Sequence, residues 1–183
     1  LVYLCRNFGL DEVADYWEQV VFINNWQRVR ISSLVIKKLF GTVSLKKIAI
    51  LGFSFKANTN DTREAASNYI ARDLIDNGAK LFISDPKVTA DQIESSLNIK
   101  RKIDINNSGE GCWVYENNLD KLFNKVDAVV ILTEWEEYKN LEWEKYVVIM
   151  RKPVWVFDTR NIVDKKKVIS SGINYWGLGD GNS

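Results

Sequence analysis

Lys46 to Glu64 runs from an apolar, isoleucine-rich stretch (Lys47-Ile48-Ala49-Ile50-Leu51) through Gly52 and a polar loop to Asp61, Arg63 and Glu64. The apolar run has the pattern of a strand buried on both faces. Asp61, three residues before Glu64, predicts a capped helix that opens at about Thr62. Strand, loop and helix N-terminus in that order leave outward-pointing backbone N–H groups where an anion can sit. Lys56 and Arg63 add two positive charges, and a guanidinium grips phosphate through two parallel hydrogen bonds. These residue types suit a phosphate-binding corner. They also suit solvated charges after a first strand, since a lone glycine is not the three-glycine dinucleotide signature.

The elements that must position this corner follow from the pattern of the chain. Short apolar runs at Ile48–Leu51, Lys80–Ser84, Trp113–Tyr115, Ala128–Leu132, Pro153–Phe157 and Ile173–Trp176 predict six strands. Helical stretches alternate with them at Thr62–Asn77 (inner side Ala65, Ala66, Tyr69, Ile70 and Leu74), Ala90–Leu97, Leu119–Asn124, Trp143–Met150 and Val163–Ser171. The polar span 98–118 reads as mostly loop. Alternation of this kind predicts an α/β fold, a Rossmann-like, doubly wound, mainly parallel sheet. Ligands of such sheets sit at the carboxyl ends of the strands. That edge gathers Phe53 to Arg63, Asp85, Thr133-Glu134-Trp135 and Asp158-Thr159-Arg160, so that Lys56, Arg63 and Arg160 meet Phe53, Phe55 and Trp135. Cations suit a diphosphate, and an aromatic ring stacks on a base or sugar face. Asp85 stands where nucleotide-binding folds keep a ribose-binding acid, but Pro86 follows at once, which favours a turn role. Arg160 has a plainer alternative as well, a salt bridge to Asp158 or Asp164.

A long helix precedes the sheet. Residues Leu1–Phe8 read as a helix end stopped by Gly9; Asp11 starts the next helix, and Lys37, Lys38 and Gly41 mark its end near Phe40. About 28 residues at about 1.5 Å each make a rod of roughly 40 Å. Its apolar residues, among them Val13, Trp17, Val20, Ile23, Trp26 and Leu34, spread over more than one face, so one face is expected to meet another domain or subunit. The expected layout is a helical segment at 1–42, the sheet domain at 43–176 and a disordered tail at 177–183.

Composition narrows the function. The chain of 183 residues carries Lys+Arg 25 against Asp+Glu 24, a net charge of +1, which gives no field for nucleic acid or a membrane surface. The absence of histidine excludes a Ser-His-Asp triad, a Cys-His pair and a histidine-ligated zinc within this sequence. Cys5 and Cys112 form neither a disulfide framework nor a metal site, and they suit a reducing cytoplasmic setting. No apolar run reaches the 18 or more residues of a membrane span. Lys165-Lys166-Lys167 and Lys100-Arg101-Lys102 read as solvated charge, and the scattered tryptophans read as core or interface residues rather than a stacking platform.

Phe55-Lys56-x-x-Thr59-x-Asp61-x-Arg63, together with Leu1-Val2-Tyr3-Leu4-Cys5, Thr133-Glu134-Trp135 and Asp158-Thr159-Arg160-Asn161, resembles the C-terminal part of the UDP-glucose 6-dehydrogenase family. The resemblance implies that Phe55, Lys56 and Arg160 contact UDP-glucose and that Arg63 contacts the NAD diphosphate. It gives Thr133-Glu134-Trp135 a supporting role. It further implies a long helix that links two Rossmann-like domains and forms a homodimer. Members of that family oxidise UDP-glucose to UDP-glucuronate through two hydride transfers to NAD and a cysteine thioester. Their cysteine segment precedes the stretch matched by Leu1–Cys5, so neither Cys5 nor Cys112 is its counterpart. No catalytic residue is expected here, and the chain reads as a fragment inactive by itself. Related enzymes that act on GDP-mannose or UDP-N-acetyl-mannosamine, and a non-catalytic nucleotide-sugar binding module, are the alternatives.

Overall fold

The computed structural model describes residues 1–103 and 109–181. A short helix α1 (Val2–Asn7) turns at Gly9 into the long helix α2 (Asp11–Lys38). The α/β body then follows as β1 (Lys47–Leu51), α3 (Ala66–Asp76), β2 (Lys80–Ser84), α4 (Ala90–Leu97), β3 (Cys112–Tyr115), α5 (Leu119–Leu122) and β4 (Ala128–Ile131). It ends with α6 (Glu136–Lys139), α7 (Trp143–Val147), β5 (Trp155–Asp158), α8 (Lys165–Ser170) and β6 (Asn174–Gly177). The sheet order is β3-β2-β1-β4-β5-β6 and every pairing is parallel. Strand order therefore reverses between β1 and β4, where doubly wound sheets hold their ligands.

Each face of the sheet carries its own apolar core. Ile48, Ile50, Leu81, Ile83 and Val130 point to the side covered by α3, α4 and the C-terminal half of α2, whose Ile31 and Val35 are buried there with Leu39 just past its end. Ala49, Leu51, Val129, Ile131 and Val156 point to the other side, against Phe123, Tyr138, Trp143, Tyr146 and Val168. The alternation along each strand assigns neighbours to opposite faces, and burial on both faces accounts for the unbroken apolar runs.

The N-terminal half of α2 leaves the sheet. Cys5 and Ala14 are buried where α1 folds back on it, while Tyr16, Val20, Phe22, Ile23 and Trp26 are exposed, Tyr16 to 67% and Phe22 to 65%. A run of exposed aromatic and aliphatic residues of this size marks an interaction surface.

Several boundaries differ from those the sequence predicts. The helix after the first loop starts at Ala66, not at Thr62, because Glu64 adopts a left-handed φ of 53°. The Asp61 carboxylate is also spent locally: it accepts from Arg63 N, Nε and Nη2, at 3.0, 2.9 and 2.8 Å. Arg63 thus lies in a turn before the helix rather than within its first turn. Tyr69 faces α2 and is exposed rather than on the inner side. Cys112 opens β3 and is buried, so it does not belong to a loop. The single turn α6 is too short to show a helical period. Residues 178–180 are no loose tail: Leu178 O accepts from Asn161 Nδ2 at 2.7 Å, and Asp180 pairs with Lys165 at 2.7 Å. The loop expected at 98–118 falls partly on residues 104–108, outside the described residues.

Candidate functional site

The first loop is fixed at its root by a close backbone approach. Gly52 leaves β1 with a φ of +87°, and a Cβ there would lie 2.4 Å from Thr133 Cβ. Only glycine satisfies both the conformation and the space. Thr133 Oγ1 in turn donates to Ser54 O at 2.7 Å, so the loops after β1 and β4 are bonded directly across the switch point.

Asp85 completes this joint from the end of β2. One of its oxygens, Oδ2, accepts from Phe53 N at 2.7 Å, Ser54 N at 3.0 Å, Ser54 Oγ at 3.2 Å and Trp135 Nε1 at 3.2 Å. The other, Oδ1, accepts from Lys87 N at 2.8 Å and Val88 N at 2.9 Å. The carboxylate is buried and its acceptor sites are taken by six protein donors. The turn role expected from Pro86 is what the structure shows, and no acceptor remains for a ribose hydroxyl. The switch point, filled by Thr133, Trp135 and the Asp85 hydrogen bonds, does not fit a dinucleotide.

The open space lies beside it, between α2 and the ends of β4, β5 and β6. This hollow of about 420 Å³ is lined by Asn24, Gln27, Arg28 and Ile31 from α2, by Phe55, Glu64, Ala66 and Ile70, and by Leu132, Thr159, Arg160 and Leu178. Arg160 is oriented from behind. Its Nε donates to Leu132 O at 2.8 Å and lies 3.4 Å from Glu134 Oε2, a buried oxygen with no hydrogen bond among the described residues. The ion pair is therefore with Glu134, not with Asp158 or Asp164. The two terminal amino groups of Arg160 have no hydrogen-bond partner among the described residues, which leaves a planar fork for a carboxylate or phosphate. Asp158 instead holds the loop itself, accepting from Arg160 N at 3.0 Å, Ile162 N at 2.8 Å and Val163 N at 3.0 Å. Glu134 links the walls, since its Oε1 accepts from Ala57 N at 3.2 Å.

Of the four residues singled out by sequence, the hollow brings together Phe55 and Arg160. Lys56 is exposed and is not among the lining residues. Arg63, its side chain 87% exposed, closes on Asp61 outside the hollow. The hydrogen bonds from Arg63, with its charge a smaller contribution, hold the Asp61 carboxyl down at about 2, and Asp61 raises Arg63 in return.

Arg28 escaped the sequence reading. It lines the hollow from α2, stacks on the Tyr69 ring at 4.1 Å and pairs with Glu64 Oε2 at 3.2 Å. A signal was present in the spacing of Asn24, Gln27, Arg28 and Ile31, one polar-edged face at i, i+3, i+4 and i+7 of the helix.

Among the described residues no group of three or more Cys, Asp or Glu could hold a metal ion, and no helix is long and apolar enough to cross a membrane. Cys5 and Cys112 are both free and buried.

Comparison with known proteins gives consistent results. The profile of the UDP-glucose/GDP-mannose dehydrogenase family, UDP binding domain, matches residues 49–165. The UDP-glucose 6-dehydrogenase of Gallus gallus is 44% identical over 164 residues, which is 90% of this chain and 33% of that protein. UDP-glucose 6-dehydrogenase 1 of Glycine max is 41% identical over 188 residues, 98% of this chain and 39% of its own length. This chain thus spans between a third and two fifths of these relatives. In fold it is similar to a UDP-glucose dehydrogenase from Pyrobaculum islandicum, with a TM-score of 0.69 at 22% identity over 97% of this chain and 34% of that one.

Proposed function

Given that the chain belongs to the UDP-glucose/GDP-mannose dehydrogenase family and carries its UDP-binding domain, we propose that it is the substrate-binding part of an NAD-dependent UDP-glucose 6-dehydrogenase. The whole protein then oxidises UDP-glucose to UDP-glucuronate, a precursor for polysaccharide, in the cytoplasm. One observation carries the reading: Arg160, whose terminal amino groups have no hydrogen-bond partner among the described residues, lines the same hollow as Phe55. A fork and an aromatic plane are what a nucleoside diphosphate needs, one for the phosphates and one for a base or sugar face.

In this reading Phe55 and Arg160 bind the UDP moiety, and Lys56, next to Phe55 and exposed, reaches its phosphates from the rim. Arg63, held outward by Asp61, meets NAD carried elsewhere in the protein, because the switch point of this sheet is filled. The chemistry supplied by NAD, hydride acceptance, therefore lies outside these residues; their part is to bind and orient the sugar nucleotide. The exposed apolar half of α2 supports a homodimer formed through that helix.

Calorimetric titration of the chain with UDP tests the site. Binding is expected, and Arg160→Ala should weaken it by about tenfold or more, the effect of one charged hydrogen-bonding group. Equal affinity in the variant removes Arg160 from the site. Because the family also covers GDP-mannose enzymes, a parallel titration with GDP decides the nucleotide; tighter GDP binding would favour that substrate class.

A further inference from the structure

We propose that Arg28 is a specificity-determining residue of this site: it reads the ligand's diphosphate from the helix side, opposite Arg160, and Glu64 is the counter-charge that the diphosphate displaces. This rests on the UDP reading above.

Arg28 is held as a pre-set cation. Its guanidinium lies 4.1 Å from the centre of the Tyr69 ring, its Nη1 donates to Asn25 Oδ1 at 3.3 Å, and its Nη2 is shared between Glu64 Oε2 at 3.2 Å and Glu64 O at 3.5 Å. The pair is lopsided in exposure: the side chain of Arg28 is 23% exposed and that of Glu64 is 73%. Stacking and burial fix the cation, whereas the carboxylate is largely exposed and is held besides by one bond, Glu64 Oε2 accepting from the Tyr69 hydroxyl at 3.0 Å. Exposed ion pairs of this kind are weak, while a dianionic diphosphate meeting a guanidinium forms stronger charge-assisted bonds.

Charge balance in the hollow points the same way. Arg160 and Arg28 are the two cations that line it, and Glu64 is the one acid among the described lining residues. Without Arg28 that acid would repel an anion at the mouth of an anion site. Arg28 therefore acts twice, by cancelling Glu64 in the empty site and by facing phosphate in the filled one. Lysine cannot replace it, because an ammonium lacks the flat face that stacks on Tyr69 and the fork that spans two acceptors.

The test is calorimetry of the chain with UDP, UMP and uridine, for the native protein and for Arg28→Ala, Arg28→Lys, Glu64→Gln and Arg160→Ala, each checked for folding by its melting temperature. Arg28→Ala is expected to weaken UDP about tenfold or more, UMP less, and uridine not at all; Arg28→Lys should fail to restore UDP. Glu64→Gln, exposed and harmless to folding, should tighten UDP and leave uridine unchanged. A purely structural Arg28 would weaken all three ligands alike, and that outcome, or Glu64→Gln weakening UDP, overturns the proposal. If Arg160→Ala leaves UDP binding intact, the site reading itself fails. If Arg160→Ala weakens UDP and Arg28→Ala does not, only the role of Arg28 falls.

Discussion

Replacing Asp85 by asparagine changes one atom and should cost the chain much of its stability. The carboxylate is 1% exposed and serves four donors through one oxygen and two through the other. An asparagine amide will turn its oxygen to the four-donor side, because the alternative loses more. Its NH2 group then confronts Lys87 N and Val88 N, formerly 2.8 and 2.9 Å from an acceptor. Two charge-assisted bonds are lost, each worth about 1.5–3 kcal/mol, and two backbone donors are left facing a donor. The expected loss is about 3–5 kcal/mol, which at a urea dependence of about 2 kcal/mol/M moves the unfolding midpoint down by about 2 M. Trp135→Phe removes a single 3.2 Å bond to the same carboxylate and should cost about 1.5–3 kcal/mol. Urea titrations followed by tryptophan fluorescence for Asp85→Asn, and by circular dichroism for both variants, read these values. The variant should also bind UDP more weakly at temperatures where it is folded, since the Asp85 bonds hold the root of the loop that presents Phe55. A loss below about 1 kcal/mol for Asp85→Asn would refute the view that this carboxylate joins the three loops.

Gly52→Ala places a methyl against Thr133 at a backbone angle that L-residues avoid, and should destabilise by about 2–4 kcal/mol in the same assay. Asp61 is held near 2 by Arg63, against an ordinary value of 3.8. A depressed carboxyl favours the folded loop above 3.8 and loses that contribution as pH falls through about 2, so NMR of the Asp61 carboxyl should show no titration between pH 7 and 4. Phe22→Glu with Trp26→Glu should convert a homodimer into a monomer in light scattering without lowering the melting temperature of the sheet; an unchanged mass argues against the α2 interface. The chain mixed with NAD and UDP-glucose should show no absorbance gain at the NADH band, and turnover above background would contradict its proposed role as the substrate-binding part alone.

The sheet was legible because its strands need no context. Runs such as Ile48-Ala49-Ile50-Leu51 and Ala128-Val129-Val130-Ile131 are apolar on both faces and admit a buried parallel strand. The ends of α2 were equally plain from Asp11, Lys37, Lys38 and Gly41. The start of α3 was not, because it turned on a competition that spacing does not reveal. Asp61 can cap a helix or chelate Arg63, and the second choice leaves Glu64 left-handed and delays the helix to Ala66. Arg63 closes on Asp61 outside the hollow, and Arg28 lines it from a helix whose contact face is set by tertiary packing. The polar stripe at Asn24, Gln27 and Arg28 could have revealed it, had the apolar faces of α2 not dominated the reading.

Asp85 and Asp158 end strands on either side of the switch point, and each spends its carboxylate on backbone N–H groups of the loop that follows it. A binding site made of loops loses affinity to the entropy of ordering them, unless the order is already present. Here the Phe55 loop is tied at its root to Asp85 and Thr133, and the Arg160 loop is tied to Asp158 and Leu132. Glu134 reaches both, through Ala57 N and through the Arg160 guanidinium. Asp85, Asp158 and Glu134 therefore hold the frame, while the terminal amino groups of Arg160 remain unspent among the described residues. This division follows from solvation: a buried carboxylate needs several donors to remain charged, whereas a guanidinium at a solvated opening can leave part of its fork to water until a phosphate arrives. Glu134→Gln separates the two roles, because it keeps a bond to Ala57 N and removes the charge beside Arg160. Stability should change little and UDP affinity should fall. If stability falls and affinity does not, Glu134 serves the frame alone.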